Sequence, residues 1–376
     1  MQKILILLTN NQISDPFLHS QLLDIYKEDN KVFQEKHLFC GFSNNEINSQ
    51  SSFKLHKNAL NEGIVGLLKL LFRFVSFVNA LDRKQQKVIH IRGFVSGILY
   101  WLSSFFLNGK GKINYIYDPR GAFLNEMVEK KYWLKPIVFL MEMIEKKMIE
   151  KSIMTIVTTQ KFKDLFVEKY GFADKINVLY NSSSFEDDNS LDRISSLEND
   201  IINLCYCGTV NHWHNLDEII RLLVYTKSVL KGKRVITYIF TQKKYHQEVK
   251  DKLQSINFED FKVEFVPYNE LQARLLKMDI CLSVVMPTLS TSIASPIKIS
   301  DYIKLNKLMI LNKGIGDFDE FYLENNSAIL YEYGEEMVFS ANDLKKVNPR
   351  KNQGLAIRID VKTNRKQVFD SICNIV

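Results

Sequence analysis

The stretch SPIKISD, residues 295–301, combines residue types that can hold a charged ligand. Ser295 is a favoured N-cap, and Pro296 suits a first helical turn because it has no N–H to lose. Lys298 would lie in that turn, where the helix dipole favours anions, with Asp301 on the same face. Lysine and backbone donors suit phosphates, and a carboxylate suits ribose hydroxyls. The local chemistry is equally compatible with an ordinary capped helix that carries a surface lysine.

The elements that must position these residues alternate along the whole chain. Apolar strand-like runs and helix-like runs follow one another, which predicts an α/β protein with two doubly wound Rossmann-like domains facing a cleft. The expected strands are 3–8, 37–41, 88–91, 113–117, 153–157 and 176–179, then 202–207, 235–240, 262–266, 279–285, 308–311 and 328–330. The expected helices are 17–28, 64–81, 94–107 and 136–151, then 215–230, 244–254, 269–277, 297–305 and 335–346.

A chain of 376 residues has room for about two domains. The polar stretch 181–200, rich in Ser, Asn and Asp, is the best candidate for a linker. We therefore predict an N-terminal domain over 1–183 and a C-terminal domain over 184–362. A last helix over 363–376 would pack back on the first domain.

The composition, 46% hydrophobic and 25% charged, is that of a soluble globular protein. The apolar run after Met1 lacks a cleavage signal and is expected to be the first strand. Charges interrupt the longer apolar stretches, so a transmembrane helix is not expected. The five cysteines are odd in number and irregularly spaced, which favours reduced core residues in a cytoplasmic protein. Seven scattered histidines predict no metal site.

The net charge of +7 is confined to the first half of the chain. Residues 1–186 carry 25 Lys and Arg against 18 Asp and Glu, while the remainder carries 25 of each. This excess is either a solvated surface or a sign of an anionic partner, namely a membrane surface or a phosphate-bearing substrate. The excess is too small for a nucleic-acid-binding protein, and the sequence contains no motif of that class.

The run SPIKISDYIKLNKLMI resembles the donor-site helix of the retaining family-four glycosyltransferases, which have the GT-B fold. The shared pattern is Ser-Pro-x-Lys, an acidic residue, Tyr and an apolar strand. The resemblance assigns a catalytic role to Lys298 and donor binding to Ser295, Pro296, Ile297, Lys298 and Asp301. The family often has two Glu residues separated by seven others; here those positions hold Ile293 and Asp301.

The run NLCYCGTVNHWHNLDEII, residues 203–220, resembles the first strand and loop of the same family's second domain. The resemblance assigns donor-phosphate contacts to Gly208, Thr209 and Asn211. Relatives often carry Arg and Lys soon after this turn, but this chain has His212, Trp213 and His214. Neutralisation of the phosphates would then depend mainly on Lys298.

Two runs in the first half resemble acceptor-side segments of members that build surface polysaccharides. They are IYDPRGAFLNEMVEKKYW, with an Asp-x-Arg-Gly…Glu pattern, and VIHIRGFVSG. The resemblance implies acceptor contacts by Arg92, Gly93, Arg120 and Glu126, and catalytic roles for Asp118 and Arg120. The alternatives are a strand-end salt bridge at Asp118 and a core role for His90. The run DKINVLYNSSSF is similar to the stretch before the interdomain linker, where Asn181 would end the last strand.

The resemblance implies transfer of a hexosyl group from a nucleotide sugar, UDP- or GDP-linked, with retention and without a metal or other cofactor. The acceptor would be a glycan or a polyprenyl-diphosphate-linked glycan in bacterial capsule or O-antigen synthesis. Residues 63–87 and 94–112 pair apolar bulk with basic residues, including Lys69, Arg73, Arg83, Lys84 and Lys87. They are either core helices or a peripheral contact with the inner face of the cell membrane.

Other functions stay open. An inverting GT-B transferase or a nucleotide-sugar epimerase would need a base, for which Asp15, Asp118 or His90 could serve. A catalytically degenerate GT-B scaffold would explain the missing first Glu and the loop without Arg or Lys.

Overall fold

The chain divides into two compact units. Unit 1 comprises Met1–Tyr180 and Val361–Val376, and unit 2 comprises Asn181–Asp360. The computed structural model describes residues 3–12, 18, 22–26, 32–42, 53–59, 63–82, 84–107, 113–185, 197–356, 358–360, 363, 366–368 and 370. The boundaries predicted from sequence lie two or three residues beyond these divisions.

Unit 1 is a parallel sheet with helices in its strand connections. Its strands are β1 (Lys3–Gln12), β2 (Glu35–Phe42), β3 (Lys54–Ala59), β4 (Gln86–Arg92), β5 (Ile113–Asp118), β6 (Met154–Val157) and β7 (Ile176–Val178). Its helices are α1 (Asp24–Tyr26), α2 (Gly63–Ala80), α3 (Phe94–Ser103), α4 (Phe123–Lys130), α5 (Lys135–Lys151) and α6 (Gln160–Tyr170), with a 3-10 turn at Tyr132–Leu134. The strand order is β3-β2-β1-β4-β5-β6-β7.

Unit 2 repeats this plan. Its strands are β8 (Ile201–Cys207), β9 (Arg234–Phe240), β10 (Phe261–Glu264), β11 (Ile280–Ser283), β12 (Leu308–Asn312) and β13 (Ile329–Tyr331). Its helices are α7 (Leu216–Val229), α8 (His246–Ser255), α9 (Tyr268–Leu275), α10 (Leu289–Ser292), α11 (Ile297–Lys304), α12 (Asp319–Asn325), α13 (Ala341–Lys346) and α14 (Gln353–Ala356), with 3-10 turns at Lys243–Tyr245 and Pro349–Asn352. The strand order is β10-β9-β8-β11-β12-β13.

Both sheets reverse their winding direction once. In unit 1 the first strand pairs in parallel with β2 on one side and β4 on the other. In unit 2, β8 pairs likewise with β9 and β11. The prediction of two doubly wound α/β domains is confirmed. Ligands of such sheets bind at the carboxyl edge, where the winding reverses.

The described cysteines are core residues. Cys40, Cys205 and Cys281 are buried, Cys207 is partly buried, and all four are free thiols. Cys373 lies outside the described residues. Of the predicted last helix, Val368 is buried in the core of unit 1, and much of the remainder also lies outside the description.

Several elements differ from the sequence-based prediction. The strand β3 was missed because it is a polar edge strand, KLHKNA, and edge strands often carry lysine. The expected helices also do not include α4, α6, α10, α12 and α14. Helix α13 begins at Ala341 rather than at residue 335, because Ser340 and Asp343 form a capping box there.

Helix α2 is long and apolar, with 18 residues and a mean hydropathy of 1.6. By length and composition alone it could cross a membrane, although a helix that packs on a sheet passes the same test. Gly66, Leu70, Phe74 and Val78 form a buried stripe at helical spacing, and 28% of the helix is buried. The helix is therefore packed on unit 1 along one face only.

Candidate functional site

Lys298 is the second residue of α11 in unit 2, and its ammonium group is buried. Among the residues that the structure describes, no hydrogen-bond acceptor lies within reach of Nζ. The ammonium lies 4.7 Å from the centre of the Tyr206 ring. Burial lowers the pKa of Lys298 to about 8. A buried cation that lacks an acceptor is a strong indication of an anionic ligand.

Gly208 makes room for this ammonium. It follows β8, where the winding of the sheet reverses, and has a φ of +150°. A Cβ atom at this position would lie 2.8 Å from Lys298 Nζ. Any larger residue would therefore displace the ammonium from the end of β8. Gly208 and Lys298, which are ninety residues apart, form one site at the carboxyl edge of the sheet.

Asp301 lies one turn after Lys298 and is buried. It accepts a hydrogen bond of 2.6 Å from the Ser183 hydroxyl on Oδ1. Burial raises the pKa of the Asp301 carboxyl to about 7, although the Ser183 hydrogen bond lowers it in part. No ion pair joins Asp301 to Lys298, both of which the structure describes.

The start of α11 corrects one detail of the sequence-based prediction. Pro296, with φ −66° and ψ 122°, is itself the N-cap, and the helix begins at Ile297. The predicted cap, Ser295, instead accepts a hydrogen bond on Oγ from the Asn181 backbone N–H, at 3.2 Å. The helix begins one residue later than predicted, because Asn181 occupies the Ser295 hydroxyl and Pro296 stays extended.

Asn181 ties the chain that enters unit 2 to α11. Its side-chain amide donates to the Ser295 carbonyl at 2.6 Å, and its own carbonyl accepts from Ser300 Oγ at 2.7 Å. Ser183, two residues later, reaches Asp301. The first residues of the predicted linker are therefore packed against the candidate site, and residues 186–196 lie outside the description.

The loop after Gly208 is held by its own polar groups. Asn211 Oδ1 accepts from the backbone N–H groups of Trp213 and His214 and pairs with His214 Nδ1, at 2.9–3.1 Å. The Thr209 carbonyl accepts from the Tyr206 hydroxyl at 2.8 Å. Burial, together with the charge of Lys298, lowers the pKa of His214 to about 3, so His214 is neutral. Asn211 thus shapes the loop that carries Gly208.

The Gly-x-Gly turn after β12 supports the segment before α11. Gly316 has a φ of +72°, and its N–H donates to the Ser292 carbonyl at 2.9 Å. A Cβ at Gly316 would lie 2.9 Å from the Ala294 carbonyl oxygen. Glycine is required here because the backbone approaches closely in a left-handed conformation.

The predicted acceptor-side residues of unit 1 meet at the carboxyl ends of β4 and β5. Asp118 Oδ2 lies 3.4 Å from Arg92 and 3.5 Å from His90 Nε2, and Oδ1 lies 3.8 Å from Arg120. Burial would raise the pKa of Asp118, but the charge of Arg120, with His90 and Arg92, outweighs it, and the pKa is lowered. Asp118 is therefore an anion that its own neighbours neutralise.

These residues differ in access to solvent. The side chains of Asp118 and Arg92 are 3% exposed, whereas that of Arg120 is 22% exposed. His90 is buried, with Nδ1 2.8 Å from the Tyr26 hydroxyl, and burial lowers its pKa. This burial fits the interpretation of His90 as a core residue. Arg120 is thus the member of the group that can reach a ligand.

Arg120 also has an unusual backbone conformation. Its φ is +69°, in the left-handed region, although it is not glycine. Such a conformation costs about 1–3 kcal/mol and concentrates at functional sites. The conformation holds the guanidinium beside Asp118. Because a non-glycine residue adopts this strained conformation, we regard Arg120 as a functional candidate.

Glu126 lies in the first turn of α4, and its Oε1 would be 3.6 Å from a Cβ at Gly121. Its Oε2 lies 3.8 Å from Lys130, and its side chain is 31% exposed. Burial raises the pKa of Glu126.

Gly93, which follows β4, has a φ of +85° and donates its N–H to the Asp118 carbonyl at 2.7 Å. Gly93 therefore supports the backbone at Asp118.

Solved structures show which fold these sites belong to. HepE from Anabaena, in complex with UDP and glucose, aligns over 100% of both chains with a TM-score of 0.70 and 14% identity. Sucrose-phosphate synthase from Thermosynechococcus elongatus aligns over 100% of this chain and 99% of its own, with a TM-score of 0.70 and 10% identity. The lipopolysaccharide outer core galactosyltransferase WaaB aligns over 100% of both chains, with a TM-score of 0.58 and 12% identity. This chain has the GT-B fold.

The GT-B fold predicted from sequence is confirmed. No family model matches the chain. No curated protein matches it either. Within this fold, unit 2 brings together Gly208, Lys298 and Asp301, and unit 1 brings together Arg92, Asp118 and Arg120. In the described part of the chain, no three His, Cys, Asp or Glu side chains are placed to hold a metal ion. Asp15 lies outside the described residues.

Sequence reasoning missed two residues that contact Lys298 or Asp301. Ser183 was assigned to the linker, and its contact with Asp301 spans 118 positions. Tyr206 was predicted only as part of a buried strand, although its ring makes a cation–π contact with the Lys298 ammonium. The signal for Tyr206 was its position two residues before Gly208. For Ser183 the serine run itself gave no indication.

Proposed function

We propose that this protein is a glycosyltransferase that binds a nucleotide-sugar donor in unit 2 and transfers the sugar to an acceptor. The observation that carries the proposal is the buried ammonium of Lys298, which has no acceptor among the described residues and lies beside Gly208 at the carboxyl edge of the sheet. A diphosphate would supply the missing anion. HepE, a structure of the same fold, binds UDP and UDP-glucose, which supports this assignment.

Lys298 would stabilise the leaving nucleotide diphosphate, in which negative charge increases as the bond to the sugar breaks. A positioned charge in a site without water does this without reorganisation. The positive end of the α11 dipole would add to it. Asp301, one turn further along α11, would accept hydrogen bonds from the ribose hydroxyls. Since these hydroxyls do not react, Asp301 would contribute to donor binding rather than to the chemical step.

We propose transfer with retention of the anomeric configuration. In that reaction the departing phosphate oxygen can take the acceptor proton, so the protein need not supply a strong base. The burial of His90 and Asp118 supports this, because each of them is 1–3% exposed. We also propose that no metal is needed, since Lys298 and the helix terminus would offset the diphosphate charge.

We propose a glycan or polyprenyl-diphosphate-linked glycan as acceptor, in the synthesis of bacterial surface polysaccharide. Arg120 and Glu126 are the charged residues that are partly exposed among those assigned to the acceptor. The Arg120 guanidinium could bind an acceptor phosphate through two parallel hydrogen bonds. Asp118 and Arg92 would act as positioning residues for Arg120. A lipid-linked acceptor would place the protein at the cytoplasmic face of the membrane, which the basic charge of unit 1 supports.

Calorimetric titration with UDP and GDP, followed by product analysis with a panel of nucleotide sugars, tests this function. We expect binding of one nucleotide that is lost in Lys298→Ala and unaffected by a chelator. An α-linked product from an α-linked donor supports retention, and an inverted anomer supports an inverting enzyme. A modified nucleotide sugar without acceptor supports an epimerase. Absence of nucleotide binding contradicts the proposal and favours a scaffold.

A further inference from the structure

Exposed apolar side chains are concentrated in three places in unit 1, one of which, with Leu102, Phe105 and Phe106, lies at the C-terminal end of α3. On α2, Ile64, Leu68 and Phe72 form an outward stripe at a spacing of four and are 48–77% exposed. The second place is the segment Tyr132–Met143, where Tyr132, Trp133, Phe139 and Leu140 are 62–71% exposed. Sequence reasoning did not identify this second segment. In unit 2 the exposed apolar residues are instead dispersed over separate elements, at Ile201, Val224, Ile256, Phe265, Leu289, Leu323 and Val338.

The places on α2 and at Tyr132–Met143 lie on one helical layer. Helix α2 contacts α3, and α3 contacts α5, so the three cover one face of the unit 1 sheet. The Asn79 amide at the end of α2 donates to the Phe106 carbonyl just after α3, at 3.0 Å, which fits a parallel arrangement. The helices of parallel sheets run opposite to the strands. The N-terminal halves of α2 and α5 therefore both lie towards the carboxyl edge of the sheet.

That edge is also where Arg120 and Glu126 lie. Both belong to the connection that leaves β5, and α4 contacts both the 3-10 turn at Tyr132–Leu134 and α5. The two apolar places are thus on the same side of unit 1 as the residues assigned to the acceptor. By contrast Phe105 and Phe106, although also exposed, follow the C-terminal end of α3 at the opposite edge.

The chemistry around the two places fits a lipid surface. Lys135 Nζ lies 4.0 Å from the Tyr132 ring centre, and Lys131 Nζ lies 5.9 Å from that of Trp133. Tyr and Trp are enriched where a bilayer meets water, because one end of each ring system is apolar and the other is polar. Exposed Lys146 and Lys147 continue the α5 segment, and Lys69 and Arg73 adjoin the α2 stripe. Anionic lipid headgroups would complement these cations.

We propose that the outward stripe of α2 and the segment Tyr132–Met143 together form a bilayer-contact surface that inserts into an anionic leaflet beside the acceptor residues. This inference rests on the proposed transfer to a lipid-linked acceptor and specifies how that acceptor would be reached. The N-terminal ends of α2 and α5 are the part of this helical layer that contacts the membrane. The apolar side chains enter the headgroup boundary, and the lysines remain among the phosphates.

Binding of the 376-residue chain to vesicles tests this surface. We expect binding to phosphatidylcholine vesicles that contain phosphatidylglycerol at low salt, weaker binding at high salt and still weaker binding to pure phosphatidylcholine. Leu68→Ser/Phe72→Ser and Phe139→Ser/Leu140→Ser should each lower the partition coefficient about tenfold or more. The matched control, Phe105→Ser/Phe106→Ser, should leave it nearly unchanged. Equal losses in all three variants would overturn the assignment.

Fluorescence provides a second measurement that does not depend on a destabilising variant. Vesicles with brominated acyl chains should quench the tryptophan emission of the wild type, and Trp133→Phe should remove most of that quenching while still binding. Unchanged quenching in Trp133→Phe, or self-association without vesicle binding, would refute the surface. If UDP or GDP binds while vesicles do not, this inference fails and the proposed function stands. If neither nucleotide binds, the proposed function fails whatever the vesicle result.

Discussion

Two groups of buried charges, one in each unit, are organised in opposite ways. In unit 1, Asp118 lies within 3.4–3.8 Å of Arg92, His90 and Arg120, and these neighbours overcome the effect of burial and lower its pKa. In unit 2, Lys298 and Asp301 are buried one turn apart without pairing. Burial moves each of their pKa values towards the neutral form, to about 8 and about 7.

This difference is the one expected between a structural charge group and a ligand-binding group. A buried charge is costly unless partners compensate it. In unit 1 the chain itself supplies opposite charges to Asp118, although Asp118 Oδ1 has no hydrogen-bond partner in the described part of the chain. In unit 2 the compensation is missing from the described residues around Lys298. A ligand with phosphates and hydroxyls would supply it, and unit 2 would gain stability when that ligand binds.

The strongest test of this contrast is the removal of Lys298. Lys298→Ala should reduce transfer about 10²–10³-fold, since one lost transition-state charge contact costs about 3–4 kcal/mol. Lys298→Met should be equally inactive but at least as stable as the wild type, because an apolar side chain of similar length replaces an uncompensated ammonium. Turnover numbers and thermal unfolding measure the two effects. Lys345→Ala, an exposed lysine of α13, is the control. Near-normal turnover in Lys298→Ala would exclude the assignment.

Replacement of Arg120 tests whether the unit 1 group has an exposed functional member. Arg120→Lys keeps a positive charge for Asp118 but cannot form two parallel hydrogen bonds with a phosphate. We expect transfer to fall about 10–100-fold, the effect of losing about 1.5–3 kcal/mol of charged hydrogen bonding. Hydrolysis of the donor without acceptor should persist. If hydrolysis and transfer fall together, or if neither changes, Arg120 is part of the structural group.

The pH dependence of donor affinity should show the titration of Lys298 and Asp301, the two buried groups of unit 2. Lys298 must be protonated to bind phosphate, so affinity should fall as pH rises through about 8. Asp301 must be ionised to accept from ribose, so affinity should also fall as pH drops through about 7. Asp301→Asn should lose the acidic limb, keep the basic limb and bind about tenfold more weakly at the optimum. Titration with a nucleotide sugar is suitable because its diphosphate does not titrate in this range. A flat profile would contradict the role of both groups.

Much of this organisation was predictable because it depends on local patterns. The alternation of apolar runs predicted both sheets, since buried parallel strands are nearly continuous in hydrophobicity. The resemblance of the Ser-Pro-x-Lys run and of the Gly turn after β8 to one glycosyltransferase family predicted that Lys298 and Gly208 would serve one site. Side-chain burial was harder to predict from the sequence. A strand-end position predicted that Asp118 would lie at the sheet edge, but its enclosure by Arg92 and His90 depends on packing across strands.

Long-range contacts and backbone conformation account for the rest. The left-handed backbone of Arg120 has no sequence signal of its own. A left-handed residue is usually glycine, and the glycine of this turn is the next residue, Gly121. The Ser295 cap was wrong because Asn181, more than a hundred residues earlier, occupies its hydroxyl. The exposed aromatic residues at Tyr132 and Trp133 were missed for a similar reason, since exposure depends on which helices pack nearby.

The smallest expected effect concerns Ser183, whose hydroxyl contacts Asp301. The Ser183 hydroxyl donates 2.6 Å to its carboxylate, which favours the ionised form. In Ser183→Ala we expect the pKa of Asp301 to rise by about one unit, the equivalent of one net hydrogen bond. At pH near 7 the ionised fraction, and with it the donor affinity, should then fall about fivefold, whereas maximal turnover should not change.

The acidic limb of the affinity profile would move to higher pH, a shift that a merely structural defect would not produce. Ser184→Ala, which removes a hydroxyl 2.8 Å from Tyr268 in the same segment, is the matched control and should leave the limb in place. Restoration of the original limb in Ser183→Thr would support the hydroxyl as the cause. If the limb stays at its original pH in Ser183→Ala, Ser183 does not tune Asp301, and the carboxylate of unit 2 is as uncompensated as the ammonium beside it.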